Sequence, residues 1–303
     1  MDTINLALDW TPNVNHIGFF VAEELGFYKK NDLKVNIINP QDDNYETTPC
    51  KKLELGQTDF AIAPFESVIS YNNKSKKFDA MAVFAILQED ISSIACLKSS
   101  NINRPQQLDD KIYASYKARY EDFIVKKMIE NDGGKVDIKI TYPDKLGIWN
   151  TLLEQKADAT WIFNNWEGVE AETQNIDLNL FSLKDYDIPY GYSPVVVTKK
   201  KNIETHRNNY SKFIKATQQG FLHTVNQPAE AEKILLKYVP EQDKKRINIS
   251  KTIKYTLPYL VKSGQCGMMD KKRVDDFLNW LVNNNLEDEV ILNQDLFTNE
   301  LLG

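Results

Sequence analysis

"LGQTDFAIAPFESVISYNNKS", residues 55–75, joins two patterns across a single proline. "TDFAIAP" is a short apolar run with the length of a buried strand. "FESVISYNNKS" then carries Phe65, Val68 and Ile69 at helical spacing, so a helix leaves the strand without an intervening loop. That is one half of a βα unit, and a series of such units builds a mostly parallel sheet covered by helices. Upstream, "INLALDW" and "LKVNIINP" read as strands, "HIGFFVAEELGFYKKN" as a helix, and "TTPCKKLELGQ" as a short helix with Pro49 near its start. Downstream, "FDAMAVFAILQ" and "SSIACLKSS" are apolar strands that can carry the chain into a second set. That set comprises "KIYASY", the helix "RYEDFIVKKMIENDGG", "VDIKITYP", the helix "IWNTLLEQK" and "ADATWIF". "YSPVVVTKK" can return it, and from Ile203 onward the pattern is chiefly helical.

The expected fold is therefore α/β with two lobes and a ligand cleft between them. Residues 1–94 and 195–303 form the first lobe, finished by the C-terminal helices, and residues 95–194 form the second. The cleft lies near the carboxyl ends of the strands. A length of 303 residues suits two lobes of ~150 each. The formal net charge of -6 gives no support to a nucleic-acid or anionic-membrane partner. "TKKKN" at 198–202, the one dense basic stretch, reads as a solvated turn. No apolar run reaches the ~18–20 residues of a membrane span. No basic leader precedes the first strand, so the chain as given is expected in the cytoplasm; a signal removed beforehand would place it in the periplasm or on a lipid anchor. Cys50, Cys96 and Cys266 are widely spaced and odd in number, and only His16, His206 and His223 exist. Neither a disulfide framework nor a metal site is expected. No recognised nucleophile, zinc-protease or nucleotide-loop motif is present.

Strand exits identify the candidate site residues. "DWTPNVNH" places Trp10, Asn13 and His16 after the first strand, where core packing, a turn cap and an ordinary hydrogen-bonded histidine are equally complete explanations. Glu66 stands on the opening turn of its helix; it complements the helix dipole, or it accepts hydrogen bonds from a ligand amine or ring nitrogen. In "YASYKARYEDF", Ser115, Lys117 and Arg119 near a helix start resemble an anion site, since free N–H groups and positive charge converge there, and Tyr116 of the same loop is a further candidate. "DATWIFNNWEGVEAE", residues 158–172, is the more unusual stretch. Trp161 and Trp166 among Asn164, Glu167 and Glu170 suit a flat polar ligand, because ring faces stack while amides and carboxylates pair with ring nitrogens and amines. Five positions is an odd offset, so both indoles reach the cleft only if the strand ends near Phe163 and the chain turns through Asn164–Asn165. Tyr190 and Tyr192 in "DIPYGYSP" complete an aromatic cage.

"LDWTPNVNHIGFFVAEELGFYKKNDLKV", "LGQTDFAIAPFESVISY" and "ADATWIFNNWEGVEAE" resemble the family of thiamine-pyrimidine precursor-binding proteins and fungal pyrimidine synthases. The resemblance covers most of the chain to about Lys200. It implies the type II periplasmic-binding-protein fold. It also implies a stacking wall at Trp10, a Glu66 contact to ring or amino nitrogens, and His16 support of the Asn13 loop. Trp161, Asn164, Trp166 and Glu170 would face the ligand from the other lobe. The synthases use pyridoxal phosphate and iron, with a lysine after the third strand and a sacrificial histidine four positions on. Those positions align here with Ala63 and Ser67. The synthase CCCFC segment corresponds to "PYGYSPVVV", and the GEFGK phosphate loop to the region around "SYKAR". The expected activity is therefore non-covalent binding of a thiamine-related pyrimidine for biosynthesis, salvage or uptake, with no cofactor and an ABC transporter permease as a possible partner. The alternatives are a divergent synthase, which would bring pyridoxal phosphate and iron, and a receptor for another small heterocycle.

Overall fold

The computed structural model describes residues 1–76 and 78–302. In chain order, the first four strands are β1 (Asp2–Ala7), β2 (Leu33–Ile38), β3 (Phe60–Ala63) and β4 (Ala80–Ala85). The next five are β5 (Ser92–Leu97), β6 (Ile112–Ala114), β7 (Lys139–Thr141), β8 (Ala159–Phe163) and β9 (Leu178–Phe181). The last is β10 (Val195–Lys199). They form two five-stranded sheets, ordered β2-β1-β3-β10-β4 and β7-β6-β8-β5-β9. β3 and β4 are buried along their whole length, as strands covered on both faces require.

The two sheets share one topology. β1 is parallel to β2 and β3, while β10 runs antiparallel to β3 and β4. In the second sheet β6 is parallel to β7 and β8, while β5 runs antiparallel to β8 and β9. The reversed strand is in each case the one that has just arrived from the other lobe. The remaining strands point their carboxyl ends at the cleft, so a chain entering from the cleft must run away from it.

The first change of sheet falls between Ala85 and Ser92, earlier than the expected Ala95, because Ser92–Ala95 already pair with β8. The return crosses between Phe181 and Val195. β9, the short "LNLF" strand, was not expected. The helix Lys271–Asn283 was expected to complete the first lobe. Its apolar face joins a cluster with Ala63, Phe65 and Ala82 and also meets the second lobe: Phe277 lies edge-on to Tyr120 at 6.2 Å, and Trp280 edge-on to Phe123 at 5.8 Å. Two glycines set the position of the cleft wall. A Cβ at Gly220 would stand 2.0 Å from the carbonyl oxygen of Gly18, so the helices Ile17–Glu24 and Arg207–Asn226 meet backbone to backbone. That close approach anchors the 3-10 turn Val14–His16, which opens onto the cleft.

Candidate functional site

Four strand exits converge on an interlobe cavity of about 220 Å³. β1 leads to Asp9, Trp10, Asn13 and Asn15, and β3 to Pro64 and Glu66. From the other lobe, β6 leads to Tyr116, Ala118 and Glu121, and β8 to Trp161, Phe163, Trp166 and Glu167. Tyr190 and Ser193 come from the return crossing.

Local hydrogen bonds explain each wall. Asn13 caps the Val14–His16 turn: its Oδ1 accepts from the Asn15 N–H at 2.9 Å, and its Nδ2 donates to the Thr11 carbonyl at 3.0 Å. His16 Nδ1 accepts from the Asn13 N–H at 3.2 Å, which leaves Nε2–H to donate to Asp9 Oδ1 at 2.8 Å. His16 is fully buried behind the cavity and orients Asp9. Glu66 is buried on the first turn of the helix Phe65–Asn72, with Oε1 accepting from the Tyr190 hydroxyl at 2.6 Å. Burial pushes its carboxyl up to about 7, against the opposing pull of the Tyr190 hydrogen bond.

β8 ends at Phe163, and a π-helical turn, Asn164–Gly168, follows at once. This satisfies the parity condition, and both Trp161 and Trp166 reach the cavity. Trp161 sits 5.4 Å from the Tyr190 ring in a tilted pair. Glu167 Oε2 accepts from the Phe163 N–H at 3.0 Å, and enclosure by protein raises that carboxyl to about 7, with Glu170 and Asp243 adding to the rise. Glu121 is held by three donors: Tyr113 Oη at 2.8 Å, Tyr116 N at 3.0 Å and Ala118 N at 3.1 Å. Burial raises its carboxyl, and these hydrogen bonds oppose the rise.

Of the residues expected from sequence, Trp10, Asn13, Glu66, Tyr116, Trp161, Trp166 and Tyr190 are brought together on the cavity wall. Others are placed elsewhere. His16 lies one layer behind. Ser115 donates to Asp122 Oδ1 at 2.6 Å, and Arg119 turns outward to Glu287 and the Tyr120 hydroxyl. Asn164 donates to Ser93 Oγ at 3.0 Å, and Glu170 pairs with Arg246. The Tyr192 hydroxyl accepts from the Asp270 N–H at 2.9 Å, with the Arg273 guanidinium over its ring. These side chains are drawn off by stronger local partners. Asp9, Asn15, Glu121 and Ser193 line the cavity without having been singled out, and Glu167, noted only as part of the stretch 158–172, joins them. Glu121 carried a readable signal, since an acid opening a helix often reaches back to the preceding backbone.

Among the described residues, the lining contains four carboxylates, Asp9, Glu66, Glu121 and Glu167, and no lysine, arginine, histidine or cysteine. No group of three or more His, Cys, Asp or Glu residues among them is arranged to hold a metal ion, and no helix is long and apolar enough to cross a membrane.

The sequence profile of the family described as NMT1/THI5 like matches residues 13–231. The chain belongs to that family. A Haemophilus influenzae protein named for thiamine biosynthesis is 25% identical over 90% of this chain and 84% of its own length. The formylaminopyrimidine-binding protein of Halalkalibacterium halodurans is 21% identical over 98% of this chain and 90% of its own. The 4-amino-5-hydroxymethyl-2-methylpyrimidine phosphate synthase of Legionella pneumophila is 24% identical over 78% and 74%. Among solved structures, the ligand-binding component of an ABC-type import system from Staphylococcus aureus superposes with a TM-score of 0.71 at 13% identity, over 99% of this chain and 98% of its own. A Candida albicans protein with the generic periplasmic-binding-protein fold gives 0.69 at 14% identity, over 100% and 96%. The fold is that of the periplasmic binding proteins.

Proposed function

We propose that the chain binds a thiamine-related aminopyrimidine without changing it, for uptake or salvage. One observation carries this reading: indoles from both lobes and carboxylates surround a cavity of about 220 Å³ that, among the described residues, no cationic side chain lines. That volume lies below the ~300–1,000 Å³ usual for drug-sized ligands, which suits a single substituted ring. Aromatic faces stack on such a ring, while Glu66 and Glu167 accept from its amino group or share a proton with a ring nitrogen. Among the described lining residues there is no cation to neutralise a small inorganic anion.

The residues do not fit pyridoxal phosphate. A lysine is needed to hold that cofactor as a Schiff base, and Ala63 occupies the corresponding position at the end of β3. Ser67 stands where the synthases place the donor histidine. Two relatives with names tied to thiamine or its pyrimidine support the ligand class, and the import-system likeness supports hand-over to an ABC permease on the outer side of a membrane. Calorimetry with formylaminopyrimidine and 4-amino-5-hydroxymethyl-2-methylpyrimidine tests the reading. Saturable 1:1 binding with the ligand recovered unaltered by mass spectrometry supports it. Turnover of added pyridoxal phosphate with loss of a protein histidine would establish the synthase alternative instead.

A further inference from the structure

We propose that Glu121 fills the place of a ligand phosphate, so that the cavity accepts only the unphosphorylated pyrimidine. This rests on the pyrimidine reading above and narrows it. The loop after β6 turns through a left-handed Lys117, with φ 59°, and the amides on either side of it, those of Tyr116 and Ala118, both face the Glu121 carboxylate. The position they face is thus occupied from within the chain. Tyr116 N–H donates to Glu121 Oε1 at 3.0 Å and Ala118 N–H to Oε2 at 3.1 Å, so the two carboxylate oxygens each take one amide. The intervening Lys117 N–H donates to Ser115 Oγ at 2.9 Å. All three loop amides are thus engaged before any ligand arrives, and Glu121 is only 3% exposed.

The cations that would hold a phosphate are also directed away. Arg119 is paired with Glu287, and Lys117 Nζ lies 5.4 Å from the centre of the Tyr142 ring. A phosphate entering the cavity would face Glu121, Asp9, Glu66 and Glu167, and among the described lining residues no cation compensates. Like-charge juxtaposition of this kind costs several kcal/mol, enough for about a hundredfold loss of affinity.

The test has two arms on the full chain. In the first, calorimetry compares 4-amino-5-hydroxymethyl-2-methylpyrimidine with its phosphate ester on the unmodified protein and on Glu121→Gln, which keeps an amide oxygen for the loop but removes the charge. The expected result is a preference for the alcohol of about a hundredfold, narrowed at least about tenfold in Glu121→Gln. Equal affinities in the unmodified protein overturn the proposal. The second arm needs no pyrimidine. Inorganic phosphate is titrated into isotope-labelled protein while the Tyr116 and Ala118 amide resonances are followed. Saturable shifts in Glu121→Ala alone support an amide pair released from its internal occupant. Saturable shifts in the unmodified protein, or none in any variant, overturn it. If Glu121→Ala fails to fold, Glu121→Ser, whose side chain is too short to hold both loop amides, serves in the same titration. Failure of both pyrimidines to bind would refute the aminopyrimidine reading, and the phosphate arm would still decide the role of Glu121.

Discussion

Glu66 shows how one carboxyl links stability to recognition. Among the described residues its side-chain donor is Tyr190, and burial raises it from the ordinary 4.5 to about 7. A carboxyl raised in the folded state binds its proton more tightly there than in the unfolded chain. Its contribution is therefore complete below about pH 4.5 and is lost as pH rises through about 7. Glu167 titrates over the same window. Glu23, Asp90, Glu121 and Asp243 are also raised by burial and add to the loss in the same direction, whereas Glu54 and Asp132, held below their ordinary range by lysine or arginine, act at lower pH. Ligand-free protein should melt at progressively lower temperature as pH increases from about 4.5 to 7, and Glu66→Gln should flatten that slope. A flat profile in the unmodified protein would remove the premise. The same substitution should weaken aminopyrimidine binding by roughly 1.5–3 kcal/mol, the worth of a hydrogen bond to a charged group. Unaltered affinity would return Glu66 to its helix-dipole role. Glu66 was legible because a strand exit and a helix start coincide there. Glu121 was legible only in part: an acid at a helix start signals a reach back to the preceding backbone, but no local composition announces the left-handed Lys117 that lies between the two amides it meets.

At the level of elements, the turn after β8 decides what the tryptophans do. The odd spacing of Trp161 and Trp166 made a turn near Phe163 necessary if both were to meet a ligand, and the π-helical turn Asn164–Gly168 supplies it. The two indoles differ in burden. Trp166 is 7% exposed and packs into the core cluster that contains Phe19 and Phe20, whereas Trp161 is half-buried against Tyr190. Trp166→Ala should therefore cost both affinity and about 3–5 kcal/mol of stability, the range for a buried tryptophan. Trp161→Ala should cost affinity with a much smaller fall in melting temperature. Titration of an aminopyrimidine should quench tryptophan fluorescence in the unmodified protein, with less quenching in Trp161→Ala. Normal binding by both variants together with early melting would make the cluster purely structural. β-Strand periodicity made most of this lobe readable. β9 escaped because four residues with one buried side chain at Phe181 show neither a continuous apolar run nor a clean alternation.

At the scale of the molecule, two crossings and one arginine control how the lobes meet. The lobes touch through buried polar groups, where Asn165 Nδ2 donates to Asn15 Oδ1 at 2.8 Å and Thr256 Oγ1 at 3.0 Å, and through the Arg246–Glu170 pair. Small-angle scattering should show the ligand-free protein to be more extended and the pyrimidine complex more compact, and an unchanged radius with proven binding would exclude closure. The two-lobe plan was readable from serial βα units, but not the fastening of its crossings, which joins residues distant in sequence. Arg273 Nη1 donates to the Gln88 carbonyl at 2.7 Å and Nη2 to the Gly191 carbonyl at 2.5 Å, so one guanidinium ties the outward crossing to the return. It also lies 4.1 Å from the centre of the Tyr192 ring, two residues from the cavity-lining Tyr190. Removing it leaves two partly buried carbonyls without their donors and frees the segment that presents Tyr190 to Glu66. Arg273→Ala should lower stability by roughly 2–4 kcal/mol and weaken ligand binding, although Arg273 is absent from the cavity wall. Amide exchange should accelerate at residues 86–91 and 188–193 while the strands of both sheets keep their protection. Arg119→Ala, which removes an equally large cation from an exposed pair with Glu287, should leave affinity unchanged. If the two variants bind alike, the crossings are held by packing alone and Arg273 has no part in setting the cleft.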